Sequence, residues 1–226
     1  LTGIEMLAGM IRDQAVPAEQ VPGIITRIIR RCQTASVQVN ELLTLARVQD
    51  EAASRHRTAS TDVRRSAEHV AGRFRDQARS KGLTLSVDTS GCAGVRAAVD
   101  ARDLDDCIGN LLDNAIKYTP AGGQVWVAVT SANAEVRVSV KDTGMGIVEL
   151  STDELFEPYR RGNLALAADI PGSGLGLAIV REVAEQTGGR IDVRSTVGQG
   201  SEFTLSFPRC DAPEGGRVND KAVEAE

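Results

Sequence analysis

The chain has 226 residues, 42% of them hydrophobic and 25% charged, which is the composition of an ordinary globular protein of one or two domains. Aromatics are scarce at 3%, so the core must be built from Val, Leu, Ile and Ala, and a net charge of −5 argues against nucleic acid as the main partner. Four scattered cysteines with no CxxC pair argue against a zinc site and a disulfide framework. No run approaches the roughly 18 apolar residues of a membrane span, and the N-terminus does not read as a signal peptide. Any membrane anchor is therefore expected outside this chain, and a cytoplasmic setting fits reduced thiols.

Residues 1 to about 55 read as helical. Ile4, Leu7 and Ile11 follow helical spacing, and AVPAEQVP then interrupts the pattern at Pro17 and Pro22. From Val21 onward, Val21, Ile25, Ile28, Cys32, Ala35, Val39, Leu42 and Ala46 alternate four and three residues apart, a coiled-coil seam over three heptads. Ile24, Ile29 and Leu43 widen the stripe, which suits a helical bundle. One and a half helices do not close a bundle, so a second copy of the chain is the expected remainder. Packing on the chain's own domain is the alternative.

SRHRTAST, from Ser54 to Thr61, reads as a polar linker. Beyond it the pattern is mixed. Val63, Ala67, Val70, Phe74 and Ala78 give a helix, LTLSVD alternates like a strand, and 102–118 is helical. Val125, Val127 and Val129, then Val136, Val138 and Val140, predict a hairpin around SANAE. A Gly-rich stretch leads into a helix over about 175–186. RIDVRS and SEFTLSF are two last strands joined by TVGQG, and the polar tail after Pro208 is expected to be disordered.

Three segments carry candidate chemistry. On the helix DLDDCIGNLLDNAIKYTP, Asn110, Asn114 and Lys117 fall at i, i+4 and i+7, away from the apolar face. Two carboxamides and an ammonium on one stripe can offer oxygen to magnesium and positive charge to phosphate. From this helix alone, a solvated face is the plainer reading. In VKDTGMGI a valine-rich strand ends in Asp142 beside Gly144 and Gly146. A carboxylate there can accept a hydrogen bond from an amino group such as adenine's; taken by itself, the segment also reads as a turn with an exposed Asp. In PGSGLGLAIV, Gly172, Gly174 and Gly176 lead into a helix whose backbone N–H groups can meet phosphate. No strand precedes this run and no GK[ST] ends it, so neither a dinucleotide fingerprint nor a Walker loop fits.

The order and spacing of these parts is the specific signal. Over about 60–208 the sequence resembles the histidine kinase branch of the GHKL ATPases. NLLDNAIKYTP matches the family's N box, DTGMGI its first glycine box, LFEPYRR its phenylalanine box and GSGLGLAIV its second glycine box. GGRIDVRSTVGQGSEFTLSFP resembles the closing strands, and QVNELLTLARVQD the end of the second dimerisation helix. The resemblance implies an α+β fold, a Bergerat-type sandwich with a mixed sheet and helices on one face. A helical hairpin forming a dimeric four-helix bundle would precede it. It implies a division into a partial dimerisation hairpin at 1–55, a linker at 56–61, an ATP-binding domain at 62–208 and a tail at 209–226.

It also implies roles. Asn114 is the expected magnesium ligand, supported by Asn110. Lys117 would face the phosphates, and Tyr118 would line the adenine pocket. Asp142 would bind the adenine amino group in a pocket shaped by Gly144 and Gly146. Phe156 would anchor the start of a lid over about 157–171, and Gly172, Gly174 and Gly176 would hinge it and meet the phosphates. Arg161 stands where the family has a lid arginine; Arg160 takes a usually aromatic position, so either could serve. The implied activity is transfer of the γ-phosphate of Mg-ATP to a histidine, for relay to a response regulator, by a homodimer joined through its N-terminal helices.

The family's acceptor lies in a motif of the form HELRTP. LTGIEMLAGMI resembles the sequence directly after it, so the acceptor is expected just upstream of residue 1. His56 and His69 have no such context and read as surface residues. The alternatives are a GHKL ATPase that hydrolyses ATP, or a nucleotide-binding module without catalysis. The hydrolytic relatives place a Glu base where this chain has Asn110, and an amide takes no proton from water.

Overall fold

The computed structural model describes residues 2–13, 15–50, 59–148, 152–160 and 172–210. The chain divides into two compact units, Leu1–Arg47 and Val48–Glu226. In the first, α1 (Thr2–Arg12) and α2 (Val21–Asp50) flank a short 3-10 turn at Ala18–Gln20. The break falls at AVPAEQVP as expected. Pro22, however, opens α2 rather than ending a helix, because its missing N–H lies in the first turn, where no intrahelical partner is needed. The Arg31 side chain of α2 lies against Gly3 of α1. Leu7 and Ile24 are buried, whereas Ile25, Val39 and Leu42 of the seam are 45%, 56% and 48% exposed. Among the described residues, these three seam positions are exposed.

The second unit is built on a seven-stranded mixed sheet. Its strands are β1 (Thr61–Asp62), β2 (Thr84–Asp88), β3 (Arg96–Ala97), β4 (Gln124–Ala132), β5 (Glu135–Asp142), β6 (Arg190–Thr196) and β7 (Gly200–Cys210). Their order is β1-β3-β7-β5-β4-β2, with β6 also pairing β7. Among the described residues, β2 and β4 are the one parallel pair and the other pairings are antiparallel. The β4–β5 hairpin turns on Asn133 at φ 55°, the left-handed conformation that a two-residue hairpin loop demands. Helices α3 (Val63–Ser80), α4 (Ala101–Tyr118) and α6 (Gly176–Gln186) pack against the sheet; α5 (Thr152–Leu155) is a single turn. Asp62 caps α3 by accepting from the Arg65 N–H at 3.0 Å, and Asp100 caps α4 through the Arg102 N–H at 2.9 Å.

The α+β class and the mixed sheet are those expected. Two short strands, β1 and β3, were not foreseen, since two residues carry no period. They bind Ser60 and Thr61 to the domain: the Arg96 guanidinium donates to Ser60, and the Thr61 hydroxyl donates to the Val99 carbonyl at 2.6 Å. At the other end β7 runs to Cys210, past the expected limit at 208, because Arg209 and Cys210 pair with β3.

The valine alternation fixes which side chains face the helices. Val125, Val127 and Val129 of β4 stand opposite Asp142, Val140 and Val138 of β5, and Val136 stands opposite Phe207 of β7. All of these apolar residues are buried. Asp142 is the next inward position after Val140, so the strand's own period drives a carboxylate into the layer between sheet and helices.

Candidate functional site

Helix α4 is the spine of the site. Leu104, Ile108, Leu111, Leu112 and Ile116 are fully buried and lock it to the core. Asn110, Asn114, Lys117 and Tyr118 lie half-buried along its other side. Lys117 forms an ion pair with Asp113, one turn back. The pair draws the ammonium back toward the preceding turn of the helix.

At the C-terminal end of α4 the first glycine loop closes over the chain. Asp142 is 5% exposed. Its Oδ1 accepts the Gly144 N–H at 2.7 Å and the Ser201 N–H at 3.3 Å. Among the described residues no hydrogen bond reaches Oδ2. Burial raises the Asp142 carboxyl above its ordinary value, against the opposing pull of the two amides. A Cβ on Gly144 would stand 2.6 Å from both the Tyr118 carbonyl oxygen and Asp142 Oδ1, so only glycine fits this approach. The Met145 N–H donates to the Tyr118 carbonyl at 3.1 Å, and the Met145 carbonyl accepts the Gly198 N–H at 2.8 Å. The Ile147 N–H donates to the Ser195 hydroxyl at 2.9 Å. The loop is thus held by α4 on one side and by the β6–β7 turn on the other. Gly146, at φ 68°, sits within it.

The second glycine run meets the other end of the stripe. A Cβ on Gly176 would lie 2.9 Å from Asn110 Oδ1, which places the start of α6 beside Asn110. The N-cap residue, Leu175, makes no side-chain cap, and the Ser173 hydroxyl accepts the Leu175 N–H at 3.1 Å; the N–H groups that follow in the first turn have no intrahelical partner. Gly174 holds φ 76°, with its carbonyl accepting the Tyr159 N–H at 2.9 Å. The two stems of the expected lid therefore touch. Phe156 is 4% exposed and roots the first stem, while Gly172 is open to solvent. Arg160 pairs with Glu154 at 2.9 Å and Glu157 at 3.3 Å. Arg161, His56 and the lid over 161–171 lie outside the described residues, as does the tail from 211.

The structure brings Asn110 and Gly176 together at one end of the stripe, and Tyr118, Asp142, Gly144 and Gly146 at the other. The eight helical steps from Asn110 to Tyr118 span about 12 Å. An elongated ligand with an amino-bearing ring at one end and anionic oxygens at the other suits that spacing. The carboxamide oxygens of Asn110 and Asn114 also suit a magnesium ion that keeps waters and leans on phosphates. Sequence reasoning missed Asp113, although its i, i+4 spacing to Lys117 was legible. It also missed the Ser201 amide and Ser195, which only the folded hairpin brings to the loop.

The sequence pattern defining the histidine kinase-, DNA gyrase B- and HSP90-like ATPase family matches residues 99–211. The chain is 30% identical over 203 residues to the sensor-like histidine kinase SenX3 of Mycobacterium tuberculosis, covering 90% of this chain and 49% of SenX3. Among solved structures, full-length ShkA in complex with AMPPNP superposes with a TM-score of 0.69 at 28% identity, covering 87% of this chain and 40% of ShkA. The histidine kinase ThkA, solved with the response regulator protein TrrA, shares the fold at TM-score 0.68 and 20% identity, covering 92% of this chain and 57% of ThkA. The chain spans from 20% to 49% of the length of the curated relatives it matches first. The site geometry and these likenesses agree: the chain belongs to the histidine kinase-, DNA gyrase B- and HSP90-like ATPase family, on its sensor histidine kinase branch.

Proposed function

We propose that this chain binds Mg-ATP and transfers the γ-phosphate to a histidine, for relay to a response regulator. The observation that supports it best is that α4 meets both glycine boxes, Gly176 at Asn110 and Gly144 at Tyr118, about 12 Å of helix apart. Adenine would lie against Asp142, Gly144, Gly146 and Tyr118, with its amino group donating to Oδ2. The phosphates would meet the start of α6 and Lys117, once its ammonium turns from Asp113. Asn114 would hold magnesium with Asn110 beside it; the ion would neutralise phosphate charge. Arg160, released from Glu154 and Glu157, or Arg161 would reach the terminal phosphate from the lid. In the transfer an imidazole nitrogen forms the N–P bond as the β,γ-bridging P–O bond breaks and ADP leaves. Position 110 carries an amide, so no base at that place activates water and hydrolysis stays slow.

The test is γ-labelled ATP with this chain, alone and with a longer protein that carries a HELRTP-type helix ahead of the same sequence and Asn114→Ala. We expect acid-labile, base-stable label on the longer protein and none on the chain alone. Label on the chain alone would point to His56 or His69, and His69 is exposed on α3. Rapid ATP turnover without label would mean an ATPase.

The dimer is a second element of the proposal, supported by the exposed seam positions Ile25, Val39 and Leu42 of α2. Removing residues 1–55 should give a monomer by light scattering that binds nucleotide as the full chain does. A full chain that stays monomeric at high concentration would count against the bundle. Among the described residues no helix is long and apolar enough to cross a membrane.

A further inference from the structure

Every α-helix leaves its last four carbonyls without an intrahelical donor. In α4 those belong to Ala115, Ile116, Lys117 and Tyr118, and each is met from outside the helix. The Thr119 hydroxyl donates to Ala115 at 2.6 Å, and the Met145 N–H to Tyr118 at 3.1 Å. The two between them share one donor: the Lys81 ammonium, at 2.6 Å from the Ile116 oxygen and 2.7 Å from that of Lys117. The sequence makes this need specific. Helical continuation would satisfy Ile116 through the N–H of residue 120, but residue 120 is proline and has none.

Lys81 is built into its place. It ends α3, with its N–H bonded to the Gln77 and Ala78 carbonyls, and Gly82 follows at φ 73°. The Gly82 carbonyl accepts the Gly122 N–H at 2.9 Å, and the Thr84 N–H donates to the Gly123 carbonyl at 3.1 Å. The α3–β2 and α4–β4 connections are thereby zipped together, which fixes the reach of the Lys81 side chain. Lys81 is half-buried, and its ammonium also opposes the negative end of the α4 dipole.

We propose that Lys81 is a positioning residue for the nucleotide site: it closes the end of α4 and so holds the Tyr118 carbonyl, and with it the Asp142–Gly146 loop, in register. The inference rests on the nucleotide-binding reading above. The chain of contact is short. Lys81 holds the carbonyls of Ile116 and Lys117, Tyr118 is the next residue, and its carbonyl holds Met145, the residue between the two loop glycines. Without the ammonium, the last turn of α4 carries two orphan carbonyls and frays or tightens, and Met145 loses a fixed acceptor.

The test compares Lys81→Met, which keeps the apolar stem, with Lys81→Arg, which keeps the charge. ADP affinity by calorimetry should fall about tenfold in Lys81→Met and stay within about threefold in Lys81→Arg. Amide exchange at Met145 should quicken about tenfold in Lys81→Met, while β5 and β7 keep their protection. A purely structural role would move melting temperature and sheet protection together with affinity. ADP affinity unchanged in Lys81→Met overturns the inference. So does an affinity loss that accompanies loss of protection throughout the sheet. If the unsubstituted chain binds no ADP, the nucleotide reading has failed instead, and the Met145 exchange then decides whether Lys81 positions the loop.

Discussion

Asp142→Asn is expected to lower ATP and ADP affinity about 100-fold while leaving the fold intact. The carboxylate uses Oδ1 to accept the Gly144 and Ser201 amides, and Oδ2 bears no hydrogen bond among the described residues. An asparagine can keep the oxygen toward those amides. Its NH2 then replaces Oδ2 and faces the adenine amino group, donor against donor. Loss of a hydrogen bond to a charged acceptor is worth roughly 1.5–3 kcal/mol, about 10- to 100-fold, and the donor clash pushes toward the upper end. The stability sign runs the other way. Burial raises the Asp142 carboxyl above its ordinary value, so the folded chain takes up its proton more readily than the unfolded chain. Ionised Asp142 therefore costs stability at neutral pH, a cost relieved as pH falls through the raised value, and the asparagine removes it. Melting temperature at pH 7 should hold or rise while affinity collapses. Affinity of the unsubstituted chain should also fall on acidification, at a pH above that of an ordinary aspartate, because a protonated carboxyl loses the acceptor. In Asp142→Asn that limb should be flat. Calorimetric titration across pH checks both, and unaltered ADP binding in the variant would remove Asp142 from the site.

The inward position of Asp142 was legible from the sequence, because Val136, Val138 and Val140 set a period of two that can end in only one direction. The polar stripe of α4 was legible for the same kind of reason: a period of 3.6 separates Asn110 and Asn114 from Leu111 and Ile108. What escaped were contacts made by backbone amides and by residues distant in sequence. Lys81 reads as one more surface lysine until α3 and α4 are laid side by side and Pro120 is seen to withhold a donor. Ser195 and the Ser201 amide reach the glycine loop only because β6 and β7 fold back at Gly198. Arg160 could be placed near the lid from its motif. Its pairing with Glu154 and Glu157 depends on the local turn that α5 makes before the left-handed Tyr159, at φ 64°. Such left-handed turns at a non-glycine residue leave little trace in composition.

Asn114→Ala is expected to abolish the magnesium-dependent part of ATP binding and to slow phosphate transfer about 10²- to 10³-fold, the usual range for removing one group that stabilises charge in the reaction. The site has few alternatives to it. Asn110, the other carboxamide of the stripe, is turned toward Gly176, with Oδ1 at the start of α6. Alanine has the higher helix propensity, and Asn114 is only half-buried on a helix whose core face is untouched, so fold stability should hold or improve. The separation of effects is the informative part. Without magnesium, ADP should bind Asn114→Ala as it binds the unsubstituted chain, since the adenine contacts lie at the other end of α4. With magnesium, only the unsubstituted chain should gain affinity for ATP. Asn110→Ala should lose less than Asn114→Ala, because it supports the site rather than holding the ion. Equal magnesium-dependent gains in the unsubstituted chain and Asn114→Ala, measured by titration with a non-hydrolysable ATP analogue, would show that the ion is held elsewhere.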